Sequence, residues 1–354
     1  MKHLSFILTS FLLLNQSFAD VCGKSQVKVV VPAAAGASAD FLARKITAQI
    51  SANNGGAAFV IENKGGAGGN LGVAAVKNDG GSTAAPTILF SQAPEMTLNP
   101  SPFITEVKAN HKVSDFEPIA YAASTPYVLV CNPGKAAALG IKDLKSFVEL
   151  AKKGAGLDYG SGGITNFTNL VMLQLGATAG FKIDDDSVRH VPSKDTSAAF
   201  NEIITGQGAP CMFHSYVSVS AHIKSGAVKA LGNSSNASIN GIPSICSLYP
   251  NFGKLENWTA FYGKAGVEPA FAACFAKEVT KAMNSPELKS MLLDQQFGLQ
   301  PSNLSTAAQF KDFLNDEIGR YANNIIPLIN PKARQTAGTT STGGKPTAPA
   351  AARP

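Results

Sequence analysis

The polar residues best suited to binding chemistry lie in small-residue loops that follow strand-like runs. The clearest loop is Ala35-Gly36-Ala37-Ser38-Ala39-Asp40, set between Val27, Val29, Val30 and Val31 on one side and Phe41, Leu42, Ile46 and Ile50 on the other. The valines read as a buried strand that stops at Pro32, and the later spacing reads as a helix with Ser38 as N-cap and Asp40 in its first turn. From Ala33 to Ala37 no side chain is larger than a methyl group, so a ligand can reach the main chain. The first N–H groups of a helix have no acceptors of their own and carry partial positive charge, which suits an anion. A second loop repeats the device: Gly160, Ser161, Gly162 and Gly163 turn a short strand into a helix whose start offers Thr165 and Asn166 as caps. Two such starts, one on each side, would hold one anion between them. Ser91 and Gln92 end a third strand, Thr196 precedes another helix, and His214 follows the apolar run Ala209 to Phe213, so these join the candidate ligand-binding set.

Strands alternating with helices must position these loops. Ala58 to Ile61 is the second strand, Asn70 caps a helix to Lys77, and Thr87 to Ser91 is the third strand, a pattern that predicts a parallel sheet with ligands beyond its carboxyl ends. From Ser114 to Cys131 two apolar runs follow each other with no helix between them, which predicts a domain boundary near Ser124 to Pro126. A helix at Leu144 to Gly154, a strand at Val188 to Val191, a helix at Ala198 to Thr205, a strand at Ala209 to Phe213, a short helix at His222 to Ser225 and a strand at Val228 to Leu231 follow. The chain is expected to cross back at about Gly232, giving one domain from 24–124 plus 232–330 and a second from 125–231. Helices are expected at Ala270 to Asn284, Pro286 to Gln296 and Thr306 to Ala322, and Trp258, Phe261 and Tyr262 are read as core.

Residues 1–19 read as a cleaved export signal: Lys2 and His3, the apolar stretch Phe6 to Leu14, then Ser17-Phe18-Ala19. Asp20 and Val21, not small residues, precede Cys22, which argues against a lipid anchor. The run from Gln335 holds no residue able to build a core, so 335–354 is expected to be a disordered tail. With 30 Lys and Arg against 24 Asp and Glu the formal charge is +6, but the basic residues are scattered without aromatic interleaving, which excludes a nucleic-acid stripe. Cys22, Cys131, Cys211, Cys246 and Cys274 have no CxxC spacing, so zinc and thioredoxin-like chemistry are set aside. One or two disulfides suit an oxidising compartment, with the pairing open and buried thiols as the alternative.

Three other chemistries fit the sequence less well. The glycines between Gly65 and Gly72 miss the third glycine of GxGxxG by one place and follow the second strand, so they read as a turn that lets backbone pass close to backbone or ligand. Gly36-Ala37-Ser38 approximates the nucleophile elbow of a secreted serine hydrolase using Ser38, but Asp40 stands where the elbow needs glycine and no histidine and acid can be assigned. A metal site from His214 and His222 lacks a third ligand.

Taken in order, VVPAAAGASADFLARKI, IENKGGAGGNLG, LNPSPF, DFEPIA, YGSGG, VPSKDTSAAFNEIITGQ, HIKSGAVKAL and WTAFYGKAGVEP form one colinear series from Gln26 to Pro327. This series resembles the periplasmic solute receptors of tripartite tricarboxylate transporters, the Bug family. The resemblance implies an α/β, type II periplasmic binding protein fold, with two α/β domains joined by a two-strand hinge in a Venus flytrap. It also implies a monomer in the periplasm that binds a small di- or tricarboxylate, or an aromatic or amino-acid carboxylate, for membrane permease subunits, with no cofactor, no catalysis and no nucleic acid. The family's first loop usually reads PGGSTD and holds a ligand carboxylate through backbone groups and ordered water. Here Gly36, Ser38 and Asp40 are kept and two positions are alanine. The second loop, often YASSGNGTS, corresponds to Tyr159 to Phe167, with Ile164 replacing a polar residue and Phe167 narrowing the cleft. Where many relatives carry an aspartate this chain has His214, which when protonated would take a second carboxylate.

Overall fold

A computed structural model describes residues 20–330, apart from 81–84, 106–107, 155, 184–186 and 254. The expected export signal and the expected tail from Gln335 lie outside the described residues. The valine run forms β1 (Gln26–Val31), and the chain continues through α1 (Ser38–Asn53), β2 (Ala58–Asn63), α2 (Asn70–Lys77), β3 (Thr87–Gln92) and α3 (Ala93–Thr97). β1 pairs in parallel with β2 and β3, since each connection carries a helix back across the sheet. Val27, Val29 and Val31 are fully buried on the α1 side against Leu42, Ile46 and Ile50. That apolar stripe on α1 is what fixes its start beside the end of β1.

The chain leaves this sheet through β4 (Phe116–Thr125) and enters another through β5 (Tyr127–Cys131) with only Pro126 between them. There follow α4 (Pro133–Ala138), α5 (Leu144–Lys152), β6 (Leu157–Ser161), α6 (Phe167–Ala179), β7 (Val188–Pro192), α7 (Thr196–Thr205), β8 (Cys211–Ser215), α8 (Tyr216–Lys224) and β9 (Lys229–Asn233). The first sheet resumes at β10 (Asn257–Lys264) after α9 (Ile245–Leu248); α10 (Pro269–Met283), α11 (Pro286–Asp294) and α12 (Ala307–Arg320) pack around it, β11 (Gly298–Leu299) forms its edge, and α13 (Ile326–Ile329) meets α6. The two sheets run β11-β4-β10-β3-β1-β2 and β7-β6-β8-β5-β9.

Several expectations are corrected. Both sheets are mixed and not purely parallel: β10 lies antiparallel between β3 and β4, and β5 antiparallel between β8 and β9. β5 follows β4 with no helix to carry the chain back, and β10 re-enters the first sheet from the other lobe. α8 begins at Tyr216, six residues before the expected start; its alternating valines and serines are weak helix formers that hide it. β8 runs two residues further than expected and takes His214 into the sheet. α1 is capped by Ala37 with no side-chain bond, so Ser38 is its first residue and not its cap, and α2 likewise begins at Asn70 behind Gly69. Trp258, Phe261 and Tyr262 are core as expected, and the Trp258 indole donates to Glu317 at 2.8 Å.

The cysteines form two disulfides. Cys22 joins Cys274 on α10, and Cys131 joins Cys211, its direct cross-strand partner between β5 and β8. Cys246 is left as a thiol. The buried-thiol alternative therefore holds for none of the four paired residues.

Candidate binding site

A cavity of about 520 Å³ lies between the two sheets, within the range of small-molecule sites. It stands beyond the carboxyl ends of β1, β3, β6, β7 and β8, where open α/β sheets bind ligands. The antiparallel strands bring their first residues to the same place, Tyr127 from β5 and Asn257 from β10.

Four helices of at least nine residues begin at this cavity. Gly36, Ala37 and Ser38 present the start of α1, Thr165, Asn166 and Phe167 that of α6, Asp195, Thr196 and Ser197 that of α7, and Ser215 with Ser218 that of α8. In α1 the first intrahelical bond is Phe41 N–H to Ala37 C=O at 2.9 Å, so the N–H groups of Ser38, Ala39 and Asp40 precede the ladder. Each start carries roughly half a positive charge. Among the described residues, the lining includes a single lysine, Lys194, and no arginine. An anion is therefore received here chiefly by main-chain dipoles.

The first loop is held open by Asp40. Its carboxylate accepts from Gly36 N–H at 2.8 Å, Asn63 Nδ2 at 2.9 Å and Arg44 Nε at 2.9 Å. Gly36 sits at φ +82°, a left-handed turn that glycine adopts without strain. Burial alone would raise the Asp40 pKa, but the Arg44, Gly36 and Asn63 bonds outweigh it and hold the carboxyl below its usual value. Because the folded pKa lies below the unfolded one, this stabilisation is present above about pH 4 and lost as pH falls through the lowered value. Asp40→Asn should cost about 1 to 3 kcal/mol at pH 7, and thermal melts of the two proteins should converge only as pH falls from about 4 through the lowered Asp40 value.

The second loop is tied internally. Asn166 caps α6, accepting from Thr168 N–H at 3.1 Å, and the Thr168 hydroxyl accepts from Gly162 N–H at 3.1 Å. Ser161 accepts from Gly163 N–H at 3.0 Å and contacts His190 Nε2 at 2.5 Å. Gly162 has no room for a side chain: a Cβ there would stand 2.7 Å from the Thr196 backbone nitrogen. This close approach seats the α6 start against the α7 start.

Of the candidate residues, Gly36, Ala37, Ser38, Gln92, Gly162, Thr165, Asn166, Thr196 and His214 line the cavity. Ala35, Ala39, Asp40, Ser91, Ser161 and Gly163 do not. Ala35 is exposed and Ala39 is packed in the core, while Ser91 and Ser161 are fully buried. His214 differs from expectation in charge. Enclosed and packed against Phe200 at 4.9 Å, it has its pKa pushed down to about 4 by burial, so it is neutral at pH 7 and offers no cation to a second carboxylate.

Sequence reasoning missed Glu95, Tyr127, Asn257, Lys194 and Phe200 as lining residues. Gly65, Gly66, Gly68 and Gly69 also line the cavity, in keeping with their reading as a close-approach turn. Tyr127 and Phe167 pack at 4.7 Å and give the cleft an aromatic wall. No histidine among the described residues hydrogen-bonds Ser38, and the one serine held by His190, Ser161, is fully buried. No group of three metal-ligating side chains occurs among the described residues.

Two mixed α/β lobes, two crossing strands and a cleft ringed by helix starts define a two-domain periplasmic binding protein fold. The chain belongs to the tripartite tricarboxylate transporter receptor family, described as "Tripartite tricarboxylate transporter family receptor", which matches residues 42–330. Protein BugT of Bordetella pertussis is 25% identical over 317 residues, 86% of this chain and 89% of that protein. Among solved structures, MatC from Rhodopseudomonas palustris with bound malate is 21% identical with a TM-score of 0.71, covering 86% of this chain and 98% of that one. R. palustris Rpa4515 with adipate is 18% identical with a TM-score of 0.72, covering 88% and 97%.

Proposed function

We propose that this protein is a periplasmic receptor that binds a small carboxylate in the cleft and delivers it to a tripartite tricarboxylate-type permease. The observation that carries the reading is the convergence of four helix starts on a cavity whose lining, among the described residues, has one lysine and no arginine. The relatives solved with malate and adipate support a carboxylate as the ligand class. The ligand enters between the lobes, and its carboxylate is taken by N–H groups at the start of α1. The second lobe then closes the α6 and α7 starts over it, turning about Pro126 and the return segment between Asn233 and Asn257. The protein works as a monomer, without cofactor or catalysis.

Charge-assisted hydrogen bonds contribute roughly 1.5 to 3 kcal/mol each, so four or five of them give about micromolar or tighter binding after ordering costs. A thermal-shift screen of mono-, di- and tricarboxylates, aromatic acids and nicotinate-like compounds tests this. At least one acid should raise the melting temperature in a concentration-dependent way, with no hydrolysis of an activated ester. Ester turnover lost on Ser38→Ala, without stabilisation by any acid, would contradict it.

A further inference from the structure

We propose that Tyr127 is the residue that positions one lobe on the other: its side chain reaches back across the hinge from β5 to Asn257 on β10 and holds the lobes in the arrangement that keeps the α6 start over the cavity. This rests on the receptor reading, with its hinge at Pro126, and names a positioning residue within it. The main chain of Tyr127 belongs to the second lobe. Its N–H donates to Ser234 Oγ at 2.9 Å and its carbonyl accepts from Ser234 N–H at 2.8 Å, which ties the outgoing crossing to the return segment. Its ring packs on that of Phe167, the first residue of α6, at 4.7 Å. Its hydroxyl accepts from Asn257 Nδ2 at 3.2 Å, and Asn257 is the first residue of β10 in the other lobe.

The anchor on the first lobe is itself fixed. Asn257 stands opposite Thr125 in the pairing of β4 with β10, and its Nδ2 also donates to Gln92 Oε1 at 2.6 Å, at the end of β3. Gln92 Nε2 in turn donates to Glu95 Oε1 at 3.3 Å. Tyr127 and Asn257 are both buried, so parting them leaves buried polar groups unpaired unless water enters. Only Pro126 separates β4 from β5. A turn about it carries the Tyr127 ring along with Phe167 and draws the hydroxyl away from Asn257. The bond therefore opposes separation of the lobes, and it does so in the wall of the cavity, which Gln92, Tyr127, Phe167 and Asn257 all line. Entry of a ligand uses the open arrangement, in which the bond is absent, whereas release has to break it. Its loss should thus speed release and leave entry nearly as it was.

Small-angle scattering of the ligand-free full chain tests the clasp without any ligand, using Tyr127→Phe, Asn257→Ala and the two together. Tyr127→Phe keeps the ring on Phe167 and removes only the hydroxyl. Each single variant should show a larger radius of gyration than the parent, and the double variant should be no larger than either single one, because both remove the same bond. Stopped-flow kinetics with malate, adipate and the tightest acid of the thermal-shift screen should show release from Tyr127→Phe faster by about threefold to tenfold, with association within about twofold of the parent. An unchanged radius in a folded Tyr127→Phe overturns the proposal, and so does a lower melting temperature with radius and release rate both unchanged, the mark of a merely structural role. Additive effects in the double variant also overturn it, since Tyr127 would then act on the ligand directly and not through Asn257. If Asn257→Ala does not fold, the radius of Tyr127→Phe alone decides. Should no acid bind the parent, the receptor reading falls while the scattering comparison still judges the clasp.

Discussion

Ser38→Asp should leave the protein as stable as the parent or slightly more so, and should weaken carboxylate binding by about 100-fold or more. Ser38 is the first residue of α1 and lines the cavity. A carboxylate at a helix start interacts favourably with the dipole by about 0.3 to 1 kcal/mol. The same charge would occupy the N–H groups meant for the ligand and repel the ligand's own carboxylate. Stability and affinity therefore move in opposite directions, which a merely disruptive substitution would not produce. Ser38→Asn, similar in shape and uncharged, should lose about tenfold or less. Melting curves and calorimetry with the tightest acid found by the screen check both variants. Equal affinity in parent and Ser38→Asp would place the ligand elsewhere.

The largest stability effect should come from the disulfides. Cys22–Cys274 closes a sequence separation of 252 residues and Cys131–Cys211 one of 80. Chain-entropy arguments give about 5 kcal/mol for the longer loop and about 4 kcal/mol for the shorter, against total stabilities of about 5 to 15 kcal/mol. Cys22→Ala with Cys274→Ala should therefore melt about 10 °C below the parent. The longer bridge also ties the first described residues to α10, so its loss frees both. Cys131→Ala with Cys211→Ala should cost less, because β5 and β8 remain paired along their length. Unchanged melting under reductant would contradict the expectation for both.

The fold was legible where one residue class dominated locally. Val27 to Val31 ending at Pro32, followed by the spacing of Leu42, Ile46 and Ile50, located β1, α1 and the loop between them. Adjacent apolar runs without a helix located the crossing from β4 to β5. What stayed hidden depends on distant parts of the chain meeting. Tyr127 and Asn257 enter the cleft only because antiparallel strands deliver their first residues there. Glu95 sits in a short helix whose sequence, Ala93 to Thr97, carries no sign that its carboxyl will be enclosed. The residue type of His214 suggests a cation, but burial within β8 decides its charge. Pairing of the cysteines likewise follows from strand register and not from spacing.

The central claim is that main-chain N–H groups at the starts of α1, α6 and α7 take the ligand's carboxylate. A crystal structure of the protein with its tightest-binding acid tests it most directly. The carboxylate oxygens should stand about 2.7 to 3.1 Å from N–H groups at the α1 start, that of Ser38 among them, with the α6 and α7 starts closed over the same molecule. An acid bound away from the α1 start, or held by Lys194 alone with the lobes apart, would contradict the account.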